Sequence, residues 1–175
     1  MAPSQVIITH LEMTDPSDLS PSAASVEAFE TQPVSVPCPE LNRFFYEVVG
    51  RDWHWVDRLP WPPGKWKAYV ERKELQTWLG IWSGMTVGYF ELEDQGGGNV
   101  EIAMFGLVPQ YVGKGLGGLL LTEAIRRAWD FGASRVWVQT CTQDAPTALP
   151  NYLARGFRIF KEEPAQGRPS APEGR

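Results

Sequence analysis

The stretch from residue 108 to residue 118 carries the clearest chemical signal in the sequence. It runs Val-Pro-Gln-Tyr-Val-Gly-Lys-Gly-Leu-Gly-Gly, with glycines at positions 113, 115, 117 and 118. Glycine permits positive φ and leaves the backbone N–H groups uncovered. At a helix start these groups have no intrahelical partner, and the helix dipole is positive. A simple turn needs fewer glycines, so the stretch predicts a site for a phosphate or diphosphate, with Lys114 adding positive charge.

Two known phosphate-binding patterns match this stretch only in part. Residues 113–118 fit GxGxxG, but the next predicted strand ends at Gln139 and Thr140 without the acidic residue that would bind a ribose. No Ser or Thr follows Lys114, so the Walker A pattern fails. A nucleotide-dependent oxidoreductase is therefore the weaker alternative.

The segments around the loop predict the elements that position it. A strand over Val100–Val108 leads into Pro109, which cannot extend a ladder. Apolar residues at helical spacing predict a helix over Leu116–Phe131 that ends at Gly132. Further strands are predicted over 6–13, 75–83, 85–92, 135–140 and 157–161. Short helices are predicted over 41–49, 65–73 and 145–155. The last of these is expected to be broken or kinked at Pro150. Ser and Pro predict a long, partly disordered loop over 14–39.

Two motifs about 40 residues apart resemble those of the GNAT superfamily of N-acetyltransferases. Gln110-x-x-Gly113-x-Gly115 resembles its Q/R-x-x-G-x-G/A signature, and Ala148-x-x-x-Tyr152-x-x-x-Gly156-Phe157 resembles its last motif. The resemblance covers about residues 76–162. It implies an α/β fold with a mixed, mostly antiparallel central sheet, splayed at the strand ending near Val108 and flanked by helices. We expect one domain over 1–162 and a flexible tail over 163–175.

The resemblance also implies acetyl-CoA as co-substrate. In that family the loop N–H groups hold the pyrophosphate, and the preceding strand end pairs with the pantetheine arm. Where the family has an asparagine three residues before Ala148, this chain has Ala145, with Asp144 before it. The expected cofactor-binding residues are Leu107, Val108, Val112, Gly113, Lys114, Gly115, Leu116, Gly117, Gly118, Asp144 and Ala148.

Acetyl transfer to an amine needs a base for the amine, a polarised carbonyl and an acid for the departing thiolate. The resemblance places the acid at Tyr152, whose phenol is neutral at pH 7; the alternative is a packing residue. Glu101, on the strand beside the cofactor, is the candidate base, directly or through water. Glu91 and His54 are rival bases. The alternative interpretation of Glu101 is a solvated strand residue or a member of an ion pair. Backbone N–H groups near Leu107 and Val108 are expected to polarise the carbonyl.

Cys141 lies at the end of the predicted strand that faces the thioester. As a nucleophile it would imply a ping-pong route. No histidine lies near it in sequence, so a small buried residue beside the acceptor is the preferred interpretation, and we predict direct transfer in a ternary complex.

Tryptophans are dense in the segment Arg51–Trp61, which contains Trp53, Trp55 and Trp61. Such a segment can form aromatic walls for an acceptor and stabilise a cation, or it can be a lid with its own small core. Its charged residues either orient an acceptor or pair with one another. The predicted acceptor contacts are Trp53, Trp55, Glu91 and Cys141.

Composition narrows the classes of protein. The chain has 175 residues, 43% of them apolar, and a formal net charge of −5, with a mean hydropathy of −0.26. No apolar run approaches the ~18 residues of a membrane span. The two cysteines and two histidines lack metal-ligand spacing. We predict a cytoplasmic enzyme that acetylates a small-molecule or peptide amine and binds no metal, nucleic acid or membrane. The sequence leaves open whether the protein forms a homodimer. A non-catalytic acetyl-CoA sensor is the alternative.

Overall fold

Seven strands form one mixed sheet in the computed structural model, which describes residues 5–165. The strand order is β2-β3-β4-β5-β6-β1-β7. The elements in chain order are β1 (Ile7–Met13), β2 (Phe29–Pro33), α1 (Pro39–Gly50), α2 (Pro63–Val70), β3 (Leu75–Trp82), β4 (Met85–Asp94), β5 (Asn99–Leu107), α3 (Leu116–Asp130), β6 (Arg135–Cys141), α4 (Ala148–Ala154) and β7 (Arg158–Pro164). Short 3-10 turns lie at Pro16–Asp18 and Pro109–Tyr111.

The sheet opens between β5 and β6. These strands form the parallel pair, and their ladder joins only Asn99–Glu101 to Arg135–Trp137. On its other side β5 carries a bulge, because Glu91 pairs with Met104 while Leu92 pairs with Ile102, so Ala103 is the extra residue. A bulge bends its strand and raises the local twist. The predicted mixed, mostly antiparallel sheet, opened beside the strand that ends near Val108, is confirmed.

The helices cover both faces of the sheet. On one face α3 packs against β4, β5 and β6, and α4 packs against α3. The main apolar core lies here, with Leu120 and Ile125 of α3 fully buried against strand residues that include Phe90. On the other face α1 packs against β4 and β5, and α2 packs against α1. The core of that face is aromatic, around Tyr46 and Trp66.

Several predicted segments differ from the structure. The predicted long loop over 14–39 contains the 3-10 turn and β2, an edge strand that pairs with β3. The sequence of β2, Phe-Glu-Thr-Gln-Pro, has one large apolar side chain, so its alternation is too weak to detect. Helix α4 begins at Ala148 rather than at residue 145 and is not broken at Pro150. Pro150 lies in the first turn, where an N–H would have no intrahelical acceptor.

The first and last strands of the chain lie side by side in the sheet. β1 does not pair with a sequence neighbour but lies between β6 and β7, antiparallel to both. β7 continues to Pro164, so the first residues of the predicted tail over 163–175 belong to a strand. Residues 166–175 lie outside the described part of the chain. Within residues 5–165, no helix has the length and apolar composition that crossing a membrane requires.

Candidate active site

A cavity of about 140 Å³ lies where β5 and β6 separate. Its lining includes Tyr152 and Phe105, which pack with the core under α3. It also includes Met104 and Trp55, which pack with the aromatic core beside α1 and α2. The cavity therefore reaches through the sheet from one face to the other. Its lining residues are Ile8, Tyr46, Trp55, Asp57, Ile102, Ala103, Met104, Phe105, Val138, Gln139, Thr140, Cys141, Asp144 and Tyr152.

The glycine-rich loop joins the end of β5 to the start of α3. Gly113 has φ +81°, and Gly115, the N-cap of α3, has φ +78°. L side chains rarely adopt this left-handed region, so the loop conformation requires both glycines. Within the described residues, no side chain caps the first turn of α3, and its N–H groups are left for another acceptor. Lys114 is exposed, whereas the side chain of Leu116 is fully buried and can offer only its backbone.

The other two glycines of the loop lie inside α3. A Cβ atom on Gly118 would be 2.8 Å from Ser22 Oγ. The Ser22 N–H donates to Thr122 Oγ1 over 3.0 Å, so the segment around Ser22 lies directly on α3. Gly118 therefore has a packing reason of its own. A Cβ on Gly117 would be in ordinary contact with the side chains of Leu107 and Asn151.

Tyr152 projects from α4 into the cavity. Its side chain is buried, with 5% of its surface exposed, and its ring centroid lies 6.1 Å from that of Phe105 and 6.0 Å from that of Phe157. Burial, and then the nearby Asp144 carboxylate, raise the pKa of Tyr152 above its usual value. The phenol is therefore neutral near pH 7 and can donate a proton or a hydrogen bond.

Glu101 lies near the start of β5, two residues before the bulge at Ala103. It is not among the residues that line the cavity, but its sequence neighbour Ile102 is. Glu101 pairs across the ladder with Glu93. Gln95 Nε2 donates to Glu101 Oε2 over 2.8 Å, while Gln95 Oε1 accepts from Trp137 Nε1 over 2.9 Å. Burial, and then repulsion from Glu93, raise the pKa of Glu101 to about 7, against the opposing effects of Arg58 and Gln95. A carboxylate with such a pKa can accept a proton at neutral pH.

Glu91 is held in a buried polar network rather than at the cavity. Its side chain is 0% exposed. It accepts from Asn42 Nδ2 at 2.7 Å, Tyr69 Oη at 2.7 Å and Arg58 Nη1 at 3.2 Å. The Arg58 guanidinium also lies 4.3 Å from the Tyr69 ring centroid. With these donors around it, Glu91 anchors the segment containing Arg58 to the sheet, and the predicted roles as acceptor contact or rival base do not fit its position.

The tryptophan-rich segment brings one of its two predicted contact residues to the cavity. Trp55 lines it and packs against the Tyr46 ring at a centroid distance of 5.5 Å. Trp53 is not among the lining residues, and its N–H donates to the Gly50 carbonyl over 3.0 Å. His54 is exposed on a turn with φ +56° and is also not among them. The structure does not bring His54 to the cavity, and its role as a rival base stays a prediction.

Sequence reasoning missed Tyr46 and gave Asp57 no definite role, yet both line the cavity. Tyr46 lies on the buried side of α1, so the amphipathic pattern of that helix was the available signal. Asp57 lies in the tryptophan-rich segment, but its sequence neighbours do not distinguish a residue at the cavity from one that faces solvent.

Asp144 ties the loop after β6 to the rest of the site. Its Oδ2 accepts from Thr140 Oγ1 over 2.7 Å and from the Cys141 N–H over 3.0 Å, and its Oδ1 accepts from Trp55 Nε1 over 3.3 Å. This carboxylate therefore organises the cavity wall, and its predicted contact with the cofactor stays a prediction. Cys141 lines the cavity, and its role as an acceptor contact stays a prediction. Ala148 begins α4 and packs against the main core.

The end of β5 differs from expectation in one respect. The Val108 N–H donates to the Val87 carbonyl over 2.8 Å, and Leu107 pairs with Gly88. The Val108 amide is therefore not available to polarise a carbonyl. Ala103, the bulge residue, lines the cavity instead, and a bulge leaves its extra residue outside the ladder.

Val112 is exposed beside the glycine loop. Among residues 5–165, no cluster of three or more His, Cys, Asp or Glu side chains could hold a metal ion.

A family model described as the acetyltransferase (GNAT) family matches residues 39–157, which is more than half of the chain. The chain belongs to the GNAT family. No curated protein matches its sequence. Among solved structures, the GNAT fold is shared with a GCN5-related N-acetyltransferase from Kribbella flavida at 19% identity and a TM-score of 0.62. A GCN5-related N-acetyltransferase from Sphaerobacter thermophilus is similar at 19% identity and a TM-score of 0.63.

A third similar structure is an IAA acetyltransferase from Bacillus cereus, at 22% identity and a TM-score of 0.56, covering 76% of this GNAT chain and 79% of its own. The Kribbella and Sphaerobacter matches cover 89% and 91% of this chain but only 56% and 50% of theirs. The chain thus spans about half the length of those two proteins. At such identities these similarities concern the GNAT fold, and they support the predicted α/β acyltransferase architecture.

Proposed function

We propose that this chain transfers an acetyl group from acetyl-CoA to an amine acceptor, directly and within a ternary complex. The observation that carries this proposal is the cavity through the sheet. Tyr152 lines it on the α3 and α4 side. Glu101, paired with Glu93, lies on the sheet face covered by α1 and α2, close to the bulge. An acid and a base on opposite faces suit a reaction in which the amine and the thiol group approach from opposite sides.

The glycine loop fits the diphosphate of acetyl-CoA. Gly113 leaves open space where a Cβ would be, and Gly115 places the start of α3 against the loop. The N–H groups there and the positive helix dipole attract an anion, and exposed Lys114 adds a cation. Beyond Glu101 the ladder between β5 and β6 ends, so an extended pantetheine arm has a strand edge to follow. When bound, acetyl-CoA supplies the acetyl group as a reactive thioester.

Glu101 is the proposed base. At physiological pH a large share of a carboxyl group with a pKa of about 7 is ionised and able to take a proton. It accepts the proton of the ammonium, directly or through a water molecule, so that the neutral amine can attack. Gln95 holds this carboxylate in place through its 2.8 Å hydrogen bond.

Two further groups complete the proposed mechanism. We expect the backbone N–H at the Ala103 bulge, which lies outside the ladder, to donate to the acetyl carbonyl oxygen as negative charge develops there. Tyr152 Oη gives a proton to the departing thiolate on the other side of the cavity, and the proton that the nitrogen loses on forming the amide restores the phenol. Its burial and contacts with Phe105 and Phe157 hold the ring in one orientation.

The test is a thiol-release assay of the full chain with acetyl-CoA over a panel of primary amines, together with calorimetric titration of acetyl-CoA. We expect binding of acetyl-CoA and amine-dependent release of CoA. Binding without turnover on any amine would assign the chain as a sensor domain and overturn the proposal. Binding of NAD in preference to acetyl-CoA would favour the oxidoreductase alternative.

A further inference from the structure

The cavity wall that faces the acceptor is acidic and aromatic. Asp57 and Asp144 line it together with Trp55 and Tyr46. Among the described residues that line the cavity, none is Lys, Arg or His. Trp55 and Tyr46 pack against each other at a centroid distance of 5.5 Å, so they form a continuous aromatic surface. Such a surface stabilises both apolar groups and cations.

The charge of Arg58, the residue after Asp57, is compensated by a buried carboxylate. Arg58 contacts Glu91 at 3.2 Å, and its guanidinium lies over the rings of Tyr69 at 4.3 Å and Trp61 at 5.0 Å. It also lies 5.7 Å from the centroid of the Tyr46 ring, so the Arg58–Glu91 pair borders the wall without adding net charge. Glu93 has its own partner, since Arg72 Nη1 lies 2.6 Å from its carboxylate. Glu101 adds acidic character to the same face of the sheet.

The two carboxylates of the wall lie on different segments. Asp144 is held in the loop after β6 by hydrogen bonds from Thr140, Cys141 and Trp55. Asp57 lies on the exposed segment at the cavity. An acceptor entering here meets two carboxylates and two aromatic rings, and a carboxylate on the acceptor would meet like charges at short range. Like charges brought together at an interface are strongly unfavourable.

Resting on the proposed function, we propose that the acceptor is a cationic amine on an apolar or aromatic body that carries no carboxylate, so that aralkyl amines are accepted and free amino acids are rejected. The ammonium group is attracted by Asp57 and the aromatic rings. Its apolar body packs against Trp55, Tyr46 and Met104, which belong to the same face of the sheet. The acidic wall thus selects for charge as well as for shape.

Three matched acceptors test this inference: phenethylamine, phenylalaninamide and phenylalanine. The amide has nearly the size of the acid but lacks its negative charge. We expect the amide and the amine to have kcat/KM values within about threefold of each other, and phenylalanine to be at least about tenfold poorer than the amide. Phenylalanine used as well as the amide would overturn the inference. An amide as poor as the acid would also overturn it, because size would then be the cause.

A pair of variants tests the role of Asp57. Asp57→Asn should lower kcat/KM for phenethylamine about five- to twentyfold. It should also reduce the ratio of kcat/KM for phenylalaninamide to kcat/KM for phenylalanine. Asp52→Asn is the matched control, since Asp52 is an exposed carboxylate of the same segment that is not among the cavity-lining residues; it should leave both quantities unchanged. Equal effects of the two variants would contradict a specific role for the cavity wall.

Failure of this inference can be distinguished from failure of the proposed function. Calorimetric titration of each of the three acceptors into the chain, with CoA present, measures their relative affinities without requiring turnover. If phenethylamine and phenylalaninamide bind more tightly than phenylalanine, the inference is supported even if no acetyl transfer occurs. Acetyl transfer to phenylalanine with full efficiency supports the proposed function and rejects the inference.

Discussion

Trp55 Nε1 donates a hydrogen bond to Asp144 Oδ1 over 3.3 Å, joining residues 89 positions apart in the chain. The bond connects the tryptophan-rich segment after α1 to the loop after β6, and both residues line the same cavity. The other oxygen of Asp144 accepts from Thr140 and the Cys141 N–H. One carboxylate therefore fixes the aromatic wall of the proposed acceptor site against β6, the strand that separates from β5.

Trp55→Phe should weaken acceptor use while leaving acetyl-CoA binding nearly unchanged. Phenylalanine retains most of the ring contact with Tyr46 but cannot donate to Asp144. We expect the acceptor KM to rise about three- to tenfold, corresponding to the loss of one hydrogen bond, as measured by steady-state kinetics. Trp53→Phe is the control, because Trp53 does not line the cavity. An equal rise in the acetyl-CoA KM would place Trp55 in the cofactor site.

The activity of the protein should rise with pH through about 7, because the proposed base Glu101 must be ionised and its pKa is raised to about 7. Glu101→Gln should remove this limb of the kcat/KM profile and lower activity about 10²–10⁴-fold. Glu93→Gln removes the neighbouring repulsion, so its profile should move to lower pH. A limb that stays in place in both variants would assign the titration to another group.

The same carboxyl makes the stability of the fold depend on pH. The pKa of Glu101 is raised above its ordinary value of 4.5, so the folded chain binds its proton more tightly than the unfolded chain. Stability therefore falls as pH rises from about 4.5 to about 7. Glu101→Gln should raise the free energy of unfolding by about 1–3 kcal/mol above pH 7, with no gain below pH 4. Thermal unfolding across pH measures this difference, and a loss of stability at pH 8 would contradict it.

Tyr152→Phe should lower kcat by about 10²-fold while the acetyl-CoA KM changes little. The variant keeps the ring contacts with Phe105 and Phe157 but lacks the donor. A bond that forms mainly in the transition state affects kcat more than ground-state binding. The measurement requires conditions in which chemistry limits the rate. A folded variant with full kcat would make Tyr152 a packing residue.

Gly115→Val should raise the acetyl-CoA KM at least about tenfold. Valine disfavours φ +78°, and its side chain would cover N–H groups that the diphosphate needs. Gly84→Val is the matched control: Gly84 has φ +80° in the turn between β3 and β4, with open space around its Cβ position. Both variants should lose similar stability, and only Gly115→Val should lose affinity. Unchanged affinity in folded Gly115→Val would reject the loop as the diphosphate site.

Much of the site follows from local sequence. The four glycines before an apolar helical pattern predict the loop and the start of α3, because positive φ and helix amphipathicity are properties of short segments. The motif around Tyr152 places that residue on a short helix, and the structure brings it to the cavity. Glu101 is on the strand beside the opening, as its position before the loop predicts. The mixed sheet with flanking helices follows from the order of these patterns.

Other features depend on contacts between distant segments, and no local pattern encodes them. The register of β4 against β5 makes Ala103 a bulge and turns Glu91 towards Arg58, Tyr69 and Asn42 instead of the cavity. Nothing near β1 in sequence shows that it inserts between β6 and β7. Register is set by which side chains of separate elements pack together. It is therefore decided by contacts that form only when those elements pack in the tertiary structure.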